Sequence, residues 1–225
     1  MEPASCCTTT SRQVVVIFTG FGPEKAKIDE MTSIVEELGG KVSTSADECT
    51  HVVFEGGIAK TEKSLVALSR GCIFATTKWL FASKKAGAWK DSTGFMVKDA
   101  RMEREVRFTL KESVAKAQHD PNAGAKLFQG LEVYATKSVA KGNHEAVRRI
   151  VEAAGASFTK REPGKTNRSS QSAKQLVIIS QKEDLADARR LKKLPQVDVI
   201  YEWPAITTSL LRQELSLGRQ NQLAV

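Results

Sequence analysis

Apolar residues in the first hundred positions alternate between short unbroken runs and helical spacing. Positions 14–18 are apolar throughout, which is typical of a strand covered on both faces. From position 28 to position 38 the apolar residues recur every three or four places, and Gly39-Gly40 follows them, which predicts a helix ended by glycine. The later segments that carry strand or helix signals are 41–43, 51–54, 61–70, 72–74 and 77–85. The predicted order is β-α-β-β-α-β-α.

The second half of the chain repeats this order with different residues. Its segments with strand or helix signals are 131–135, 144–154, 175–180 and 197–201, with a short charged helix before the last. Gly155 follows its helix as Gly39 follows the first one, and Trp203 stands where Trp79 stands. A longer polar loop at 161–174 accounts for the wider spacing in this half. The pattern predicts two copies of one small α/β unit.

These segments divide the chain into four parts. The predicted parts are a disordered Ser/Thr-rich leader at 1–12, a first unit at 13–98, a linker at 99–125 and a second unit at 126–225. The linker is charged, with helical character at 110–117 and a turn at 121–124. Each unit has roughly the 100 residues of a small domain, and such domains gain stability by packing together.

The composition is that of a globular protein with a basic surface. Hydrophobic residues make up 41% and charged residues 27%, and the formal net charge is +8 with a pI near 9.4. This charge favours acidic partners such as phosphopeptides or nucleic acid, although a solvated basic surface accounts for it equally well. Basic residues are not interleaved with aromatic ones, so the charge alone does not choose between DNA and a phosphorylated protein.

The cysteines favour a reducing compartment. None of them has a His or Cys at metal-ligand spacing, and the four are Cys6, Cys7, Cys49 and Cys72. Reduced thiols in the nucleus or cytosol, and no metal site, are therefore expected. The sequence has no signal-peptide pattern and no apolar run of the roughly 18 residues that span a membrane, so we expect no membrane partner.

No catalytic pattern stands out in the sequence. His51, His119 and His144 are scattered without a paired carboxylate or cysteine, and His51 begins an apolar strand, which favours a packing role. Gly20-Phe21-Gly22 lacks the third glycine and the downstream acid of a dinucleotide fingerprint, and there is no P-loop motif. We expect no enzymatic activity, no cofactor and no small-molecule substrate.

The repeated glycines and tryptophans carry a resemblance to a known family. Gly39-Gly40 and Trp79 in the first unit, with Gly155-Ala156 and Trp203 in the second, resemble the BRCT family, and the resemblance covers positions 13 to about 217. Each residue alone is a weak signal, because a glycine often ends a helix and a tryptophan is often core. Their repeated order in two units of matching length is a strong one.

The resemblance implies the architecture. It implies a tandem pair of α/β domains, each a four-stranded parallel sheet flanked by helices, packed head to tail. The second helix of the first repeat then packs against helices of the second repeat. Leu65 and Leu68, on one face of that helix, are expected to face the partner repeat rather than solvent.

The first repeat looks most like the domains of damage-checkpoint mediators that bind phosphoserine. Their pocket uses Ser or Thr followed by Gly after the first strand, and Lys at the start of the second helix, and Thr19, Gly20 and Lys63 match that pattern. The hydroxyl and the glycine N–H can donate to phosphate, and Lys63 adds charge near a helix N-terminus. A Thr-Gly turn or a lone lysine is common; their joint register predicts a phosphate pocket.

The resemblance also implies residues that contact the rest of the peptide. Lys60 stands where this subfamily usually has an Arg that contacts the peptide main chain or its terminal carboxylate, and Lys keeps the charge but loses the two-pronged geometry. Lys141, Gly142 and Asn143 are expected to shape the groove from the second repeat. That repeat has Ala135-Thr136-Lys137 after its first strand, without a Thr-Gly pair, so one phosphate site per chain is expected.

The expected function is a phosphoserine-peptide reader in the nuclear DNA-damage response. The resemblance makes the phosphorylated C-terminal tail of a histone variant at DNA breaks the first candidate ligand. The alternatives are a BRCT pair that binds DNA ends, supported by the basic charge, and a scaffold that binds unphosphorylated repair proteins.

Overall fold

A computed structural model describes residues 13–22, 25–118, 126–164, 174–197, 199–215 and 222–223 of the 225-residue chain. The predicted leader at 1–12, the predicted turn at 121–124 and most of the polar loop at 161–174 lie outside these ranges, as do Cys6, Cys7 and His119. Within the described ranges, no helix is both long enough and apolar enough to cross a membrane.

The first half folds as one four-stranded parallel sheet with helices on both faces. Its elements are β1 (Val15–Thr19), α1 (Lys25–Glu37), β2 (Lys41–Val42), β3 (His51–Phe54), α2 (Glu62–Ser69), β4 (Ile73–Thr76) and α3 (Thr77–Ala86). The strands lie in the order β2-β1-β3-β4, and every pairing is parallel. The predicted order β-α-β-β-α-β-α is confirmed for this half.

The described part of the linker contains two helices. They are α4 (Ala100–Val106) and α5 (Leu110–Gln118). The sequence predicted α5 but not α4, because only Val106 of α4 is fully buried and the rest of this short helix carries almost no apolar signal. Asp99 starts α4 by accepting a hydrogen bond from the Met102 N–H at 2.9 Å.

The second half repeats the architecture of the first. Its elements are β5 (Leu131–Ala135), α6 (His144–Ala153), β6 (Ser157–Phe158), β7 (Gln175–Ser180), α7 (Leu185–Lys192), β8 (Ile200–Glu202) and α8 (Trp203–Arg212). The strands lie in the order β6-β5-β7-β8, again all parallel. The last strand was predicted at 197–201 but begins at Ile200, because Val197 closes a turn by donating to the Leu194 carbonyl at 3.0 Å.

Each sheet is apolar on both faces, and the alternation along its strands divides the core. In the first sheet, Val16 and Val53 pack with α1 and α3, whereas Ile17 and Val52 pack on the opposite face with α2. All four side chains are fully buried. The unbroken apolar run at the start of the chain is thereby explained, and the prediction of a strand covered on both faces is confirmed.

The largest core is shared between the halves. It joins the α2 face of the first sheet to the α6 and α8 face of the second, and α2 packs against α5, α6 and α8. Leu65 and Leu68 of α2 are each 1% exposed within this core. Burying such side chains contributes about 1.5–3 kcal/mol each. The predicted head-to-tail packing through α2 is confirmed.

The two described cysteines meet at the amino ends of neighbouring strands. Cys49 lies just before β3 and Cys72 just before β4, and their Sγ atoms are 3.3 Å apart in a buried site. Neither residue forms a disulfide. The hydrogen bond with Cys72 and burial raise the pKa of the Cys49 thiol far above its ordinary value. Their contact was not predicted from the sequence, because only the parallel pairing of β3 with β4 brings the two residues together.

Candidate functional site

The carboxyl end of β1 presents Thr19 and Gly20 at the edge of the first sheet. Thr19 is half-buried, and its carbonyl accepts a hydrogen bond from the Glu55 N–H at 3.3 Å. Gly20 is exposed and has φ +80°, a conformation that residues with a Cβ rarely adopt. A Cβ on Gly20 would also lie 2.7 Å from the Glu55 carbonyl oxygen. Glycine is therefore required here for both its backbone conformation and the close approach of the next loop.

Lys63 lies in the first turn of α2, the helix that follows β3. Thr61 caps this helix: its side chain accepts from the Ser64 N–H at 3.3 Å, and the two hydroxyls are 2.8 Å apart. The Lys63 side chain is exposed. Because α2 follows β3 and β3 pairs directly with β1, the helix start and Thr19 belong to the same carboxyl edge of the sheet.

Asp99 of the linker holds the loop between β3 and α2. One carboxylate oxygen accepts from the Ile58 N–H at 2.9 Å, and the other accepts from the Met102 N–H at 2.9 Å. Lys60 is exposed in the same loop, two residues after Ile58. Asp99 was not among the residues predicted from the sequence, although an Asp directly before a helix is a signal for a cap.

An ion pair lies at the same edge of the sheet. Glu55, the first residue after β3, forms an ion pair with Lys27 of α1. Both side chains are about one third exposed, with values of 36% and 35%. Neither residue was predicted from the sequence as part of the site. This pairing partly neutralises the carboxylate of Glu55, the residue whose backbone lies against Gly20.

The three residues predicted in the second repeat lie in the turn that leads into α6. Lys141 and Gly142 have φ of +58° and +79°, and they follow Ala140 at +52°. The Asn143 side chain accepts a hydrogen bond from the Ala146 N–H at 3.1 Å and so caps α6. Lys141, Gly142 and Asn143 are all exposed. The structure thus places them at the start of the helix that packs against α2.

The second repeat fills the corresponding edge with a carboxylate of its own. Asp184 is 8% exposed and accepts from the Ser138 N–H at 2.8 Å and from the Ser138 hydroxyl at 2.7 Å. Burial raises the pKa of Asp184, but hydrogen bonds from Thr136 and Ser138 and the charge of Lys137 outweigh it, so the pKa lies below its ordinary value. The Ser138 donors that follow β5 are therefore already bound to an internal anion.

The described histidines are engaged in packing or backbone contacts. His51 stacks on Trp79 with ring centroids 4.4 Å apart, and burial lowers the pKa of His51 to about 4. His144 Nε2 is 3.0 Å from the Thr136 carbonyl oxygen. Within the described part of the chain, no group of three or more His, Cys, Asp or Glu residues is arranged to hold a metal ion.

Comparisons with known proteins agree on one family for both halves. Residues 126–219 match the family model described as BRCT domain. Residues 3–97 match the model described as Regulator of Ty1 transposition protein 107 BRCT domain. The two matches together span most of the chain.

Two curated relatives have similar sequences. PAX-interacting protein 1 of Bos taurus is 30% identical over 174 residues, which are 76% of this chain and 17% of that protein. Mediator of DNA damage checkpoint protein 1 of Homo sapiens is 32% identical over 124 residues, which are 55% of this chain and 5% of that protein. The chain therefore spans less than a fifth of the length of either relative.

Two solved structures share the fold. The BRCT5-BRCT6 domains of S. pombe Brc1 match with a TM-score of 0.71 at 20% identity, over 95% of this chain and 98% of that one. Rtt107p, solved in complex with a phosphorylated histone, matches with a TM-score of 0.63 at 13% identity, over 94% of this chain and 92% of that one. The fold, the repeat and both family matches agree: the chain belongs to the BRCT family and is a tandem pair of BRCT domains.

Proposed function

We propose that the chain is a phosphoserine-peptide-binding module of a DNA-damage-response adaptor. Thr19, Gly20 and Lys63, which we call the phosphate pocket, bind the phosphate. The observation that carries the proposal is the edge that follows β1, where Gly20 adopts φ +80° beside Thr19 and the capped start of α2 carries an exposed Lys63.

The chemistry of these groups suits a phosphate dianion. The Thr19 hydroxyl and the Gly20 N–H donate hydrogen bonds, Lys63 supplies a cation, and the helix start adds a partial positive charge. Hydrogen bonds that involve a charged group contribute about 1.5–3 kcal/mol each, so the loss of Lys63 corresponds to roughly 10- to 100-fold in affinity. These three residues include no general base that could activate a nucleophile. They bind phosphate without transferring it.

Residues on both sides of the α2–α6 contact then bind the peptide beyond the phosphoserine. Lys60 provides a positive charge for a C-terminal carboxylate, and its exposure leaves it accessible to a ligand. Lys141, Gly142 and Asn143 provide exposed backbone and side-chain groups at the start of α6. A lysine holds a carboxylate as a point charge, without the fixed two-pronged geometry of an arginine.

The ligand we propose is the phosphorylated C-terminal tail of a histone variant at DNA breaks, and the site of action is the nucleus. Two comparisons support this choice. One relative is named as a mediator of the DNA damage checkpoint, and one structure of the same fold contains a phosphorylated histone. The net charge of +8 favours an acidic, phosphorylated ligand as well.

The test is fluorescence anisotropy with one histone-tail peptide in four forms. The peptide is phosphorylated or unphosphorylated on its serine, and it ends in a free or an amidated carboxylate. The proteins are the wild type, Lys63→Met, Lys60→Met, and Lys85→Met as a matched control. Lys85 is exposed in the last turn of α3, so its loss changes the net charge equally without touching the pocket.

The proposal is supported if binding requires the phosphate, falls about 10- to 100-fold in Lys63→Met and is unchanged in Lys85→Met. A further drop on amidation shows that the terminal carboxylate contributes, and the absence of that drop in Lys60→Met assigns the contact to Lys60. Equal binding of the phosphorylated and unphosphorylated forms rejects the phosphate pocket and makes DNA ends or an unmodified protein the next ligand to test.

A further inference from the structure

An arginine of the second repeat contacts two carboxylates of the first. Arg149 of α6 places one terminal nitrogen 2.7 Å from Asp47 Oδ2 and the other 2.7 Å from Glu62 Oε1. The planar guanidinium suits two carboxylates at once. The Arg149 and Glu62 side chains are only 34% and 29% exposed, so this contact is partly shielded from solvent. Arg149 is thus an ionic link between the repeats.

Glu62 is the residue through which this link reaches the phosphate pocket. It is the first residue of α2 and the direct neighbour of Lys63 in the chain. A carboxylate in the first turn of a helix stabilises the helix. The same carboxylate lowers the positive potential that a phosphate dianion experiences at that turn. Whether Glu62 is neutralised by a partner therefore matters for any anion bound there.

Two other charged residues at this edge, Lys27 and Asp99, have partners other than Glu62. Lys27 is paired with Glu55, and Asp99 fixes the backbone of the loop at Ile58 without supplying a positive charge. Burial raises the pKa of Asp47, but hydrogen bonds from Ser45 and Arg149 and nearby arginine charge outweigh it, and the net shift is downward. The charge of Arg149 therefore acts on the carboxylates of the first repeat across the interface.

We propose that Arg149 is a positioning residue for the phosphate pocket. By pairing with Glu62 it neutralises the carboxylate next to Lys63 and fixes the first turn of α2. The second repeat in this way raises the phosphate affinity of the phosphate pocket, although all three residues of that pocket belong to the first repeat. This inference rests on the proposed function, since it concerns the same site.

The test compares two neighbouring arginines of one helix. Arg148→Met is the matched control for Arg149→Met, because both side chains are 34% exposed but Arg148 pairs with Glu145 and Glu152 of its own helix. Glu62→Gln and the double variant Arg149→Met/Glu62→Gln complete the set. Affinity for the phosphorylated and unphosphorylated histone-tail peptide is measured by fluorescence anisotropy, and thermal unfolding is recorded for each protein.

We expect Arg149→Met to weaken phosphopeptide binding about tenfold, and Arg148→Met to change it less than about twofold. Glu62→Gln alone should bind at least as tightly as wild type. The double variant should recover most of the lost affinity, because the carboxylate that Arg149 neutralised is gone. A purely structural role for Arg149 would lower the unfolding temperature without this recovery.

Unchanged phosphopeptide affinity in Arg149→Met overturns the inference, and so does a double variant that binds no better than Arg149→Met. The failure of the proposed function is distinguishable from both. In that case the wild type itself binds the phosphorylated and unphosphorylated peptides equally, whatever stands at position 149.

Discussion

The two repeats share one topology but end their first strands in different ways. In the first repeat, β1 is followed by Gly20 at φ +80°, and the same edge of the sheet carries a lysine on an exposed helix start. In the second repeat, the N–H and the hydroxyl of Ser138 are bound to the buried carboxylate of Asp184. Gly20 and Lys63 are exposed at the first edge, whereas the second edge holds the carboxylate of Asp184.

Under the proposed function, the turns after the first strands, rather than the shared fold, determine which repeat of this chain binds the phosphate. In each repeat the turn after the first strand presents polar donors at the carboxyl edge of a parallel sheet, where ligands of such sheets usually bind. The Asp184 hydrogen bonds contribute to folding free energy, so those donors are not free to stabilise a ligand.

The largest effect is expected when Gly20, which directly follows β1, is given a side chain. The second repeat has a side chain at the corresponding position, Thr136, which directly follows β5. Gly20→Ala should raise the Kd for the phosphopeptide more than about 100-fold, because the φ of +80° becomes strained and the new Cβ lies 2.7 Å from the Glu55 carbonyl oxygen. The measurement is peptide anisotropy. Gly22→Ala is the control, since a Cβ there meets nothing within 4 Å. Equal affinity of Gly20→Ala and wild type would remove Gly20 from the pocket.

The next prediction concerns the pH dependence of folding stability, which distinguishes the core of the first repeat from that of the second. His51 begins β3 opposite Val16, where the second repeat pairs Leu176 with Glu132. Burial lowers the pKa of His51 to about 4, so the unfolded chain binds a proton that the folded one does not. His51 therefore leaves the free energy of unfolding undiminished above pH about 6.5 and reduces it as the pH falls towards 4.

Between pH 7 and pH 4.5 the free energy of unfolding should therefore fall by about 2 kcal/mol more in the wild type than in His51→Leu. Urea unfolding at the two pH values measures this difference. Parallel pH profiles for the two proteins would show that His51 does not titrate as a buried neutral side chain.

The last prediction, of similar size in folding free energy, tests the internal anion. Asp184→Ala leaves the N–H and hydroxyl of Ser138 without their partner, and it should cost about 2 kcal/mol of folding free energy. Millimolar sulfate should then raise the unfolding temperature of Asp184→Ala more than that of wild type, because an external anion can occupy the place of the carboxylate. Glu183→Ala, an exposed neighbour, is the control. Equal sulfate effects in all three proteins would argue against Asp184 as an internal anion.

The sequence predicted the parts of the fold that depend on repeated apolar residues. The run at the start of the chain predicted a strand covered on both faces, and the spacing of Leu65 with Leu68 was compatible with the helix that the resemblance placed between the repeats. Helix α4 was missed because only Val106 of it is fully buried, with Met102 partly buried beside the core. Periodic apolar signals add up over a segment, whereas a single buried residue does not produce one.

The candidate pocket was predicted from the family pattern, but its supports were not. Asp99 is 41 residues from Ile58 in sequence, and Arg149 is 102 residues from Asp47. Each acts through one side chain whose partner is known only after the chain has folded. The internal carboxylate of Asp184 was missed for the same reason. Single polar contacts over long sequence separations leave no local pattern.

The most direct test of one phosphate site per chain is a titration followed by amide chemical shifts. Isotope-labelled protein is titrated with the phosphoserine peptide, and the unphosphorylated peptide serves as reference. We predict large, phosphate-dependent shifts for the amides of Gly20 and Lys63, and none for Ser138, whose N–H stays bound to Asp184. A phosphate-dependent shift at Ser138, with Gly20 unchanged, would contradict this prediction and assign the ligand to the second repeat.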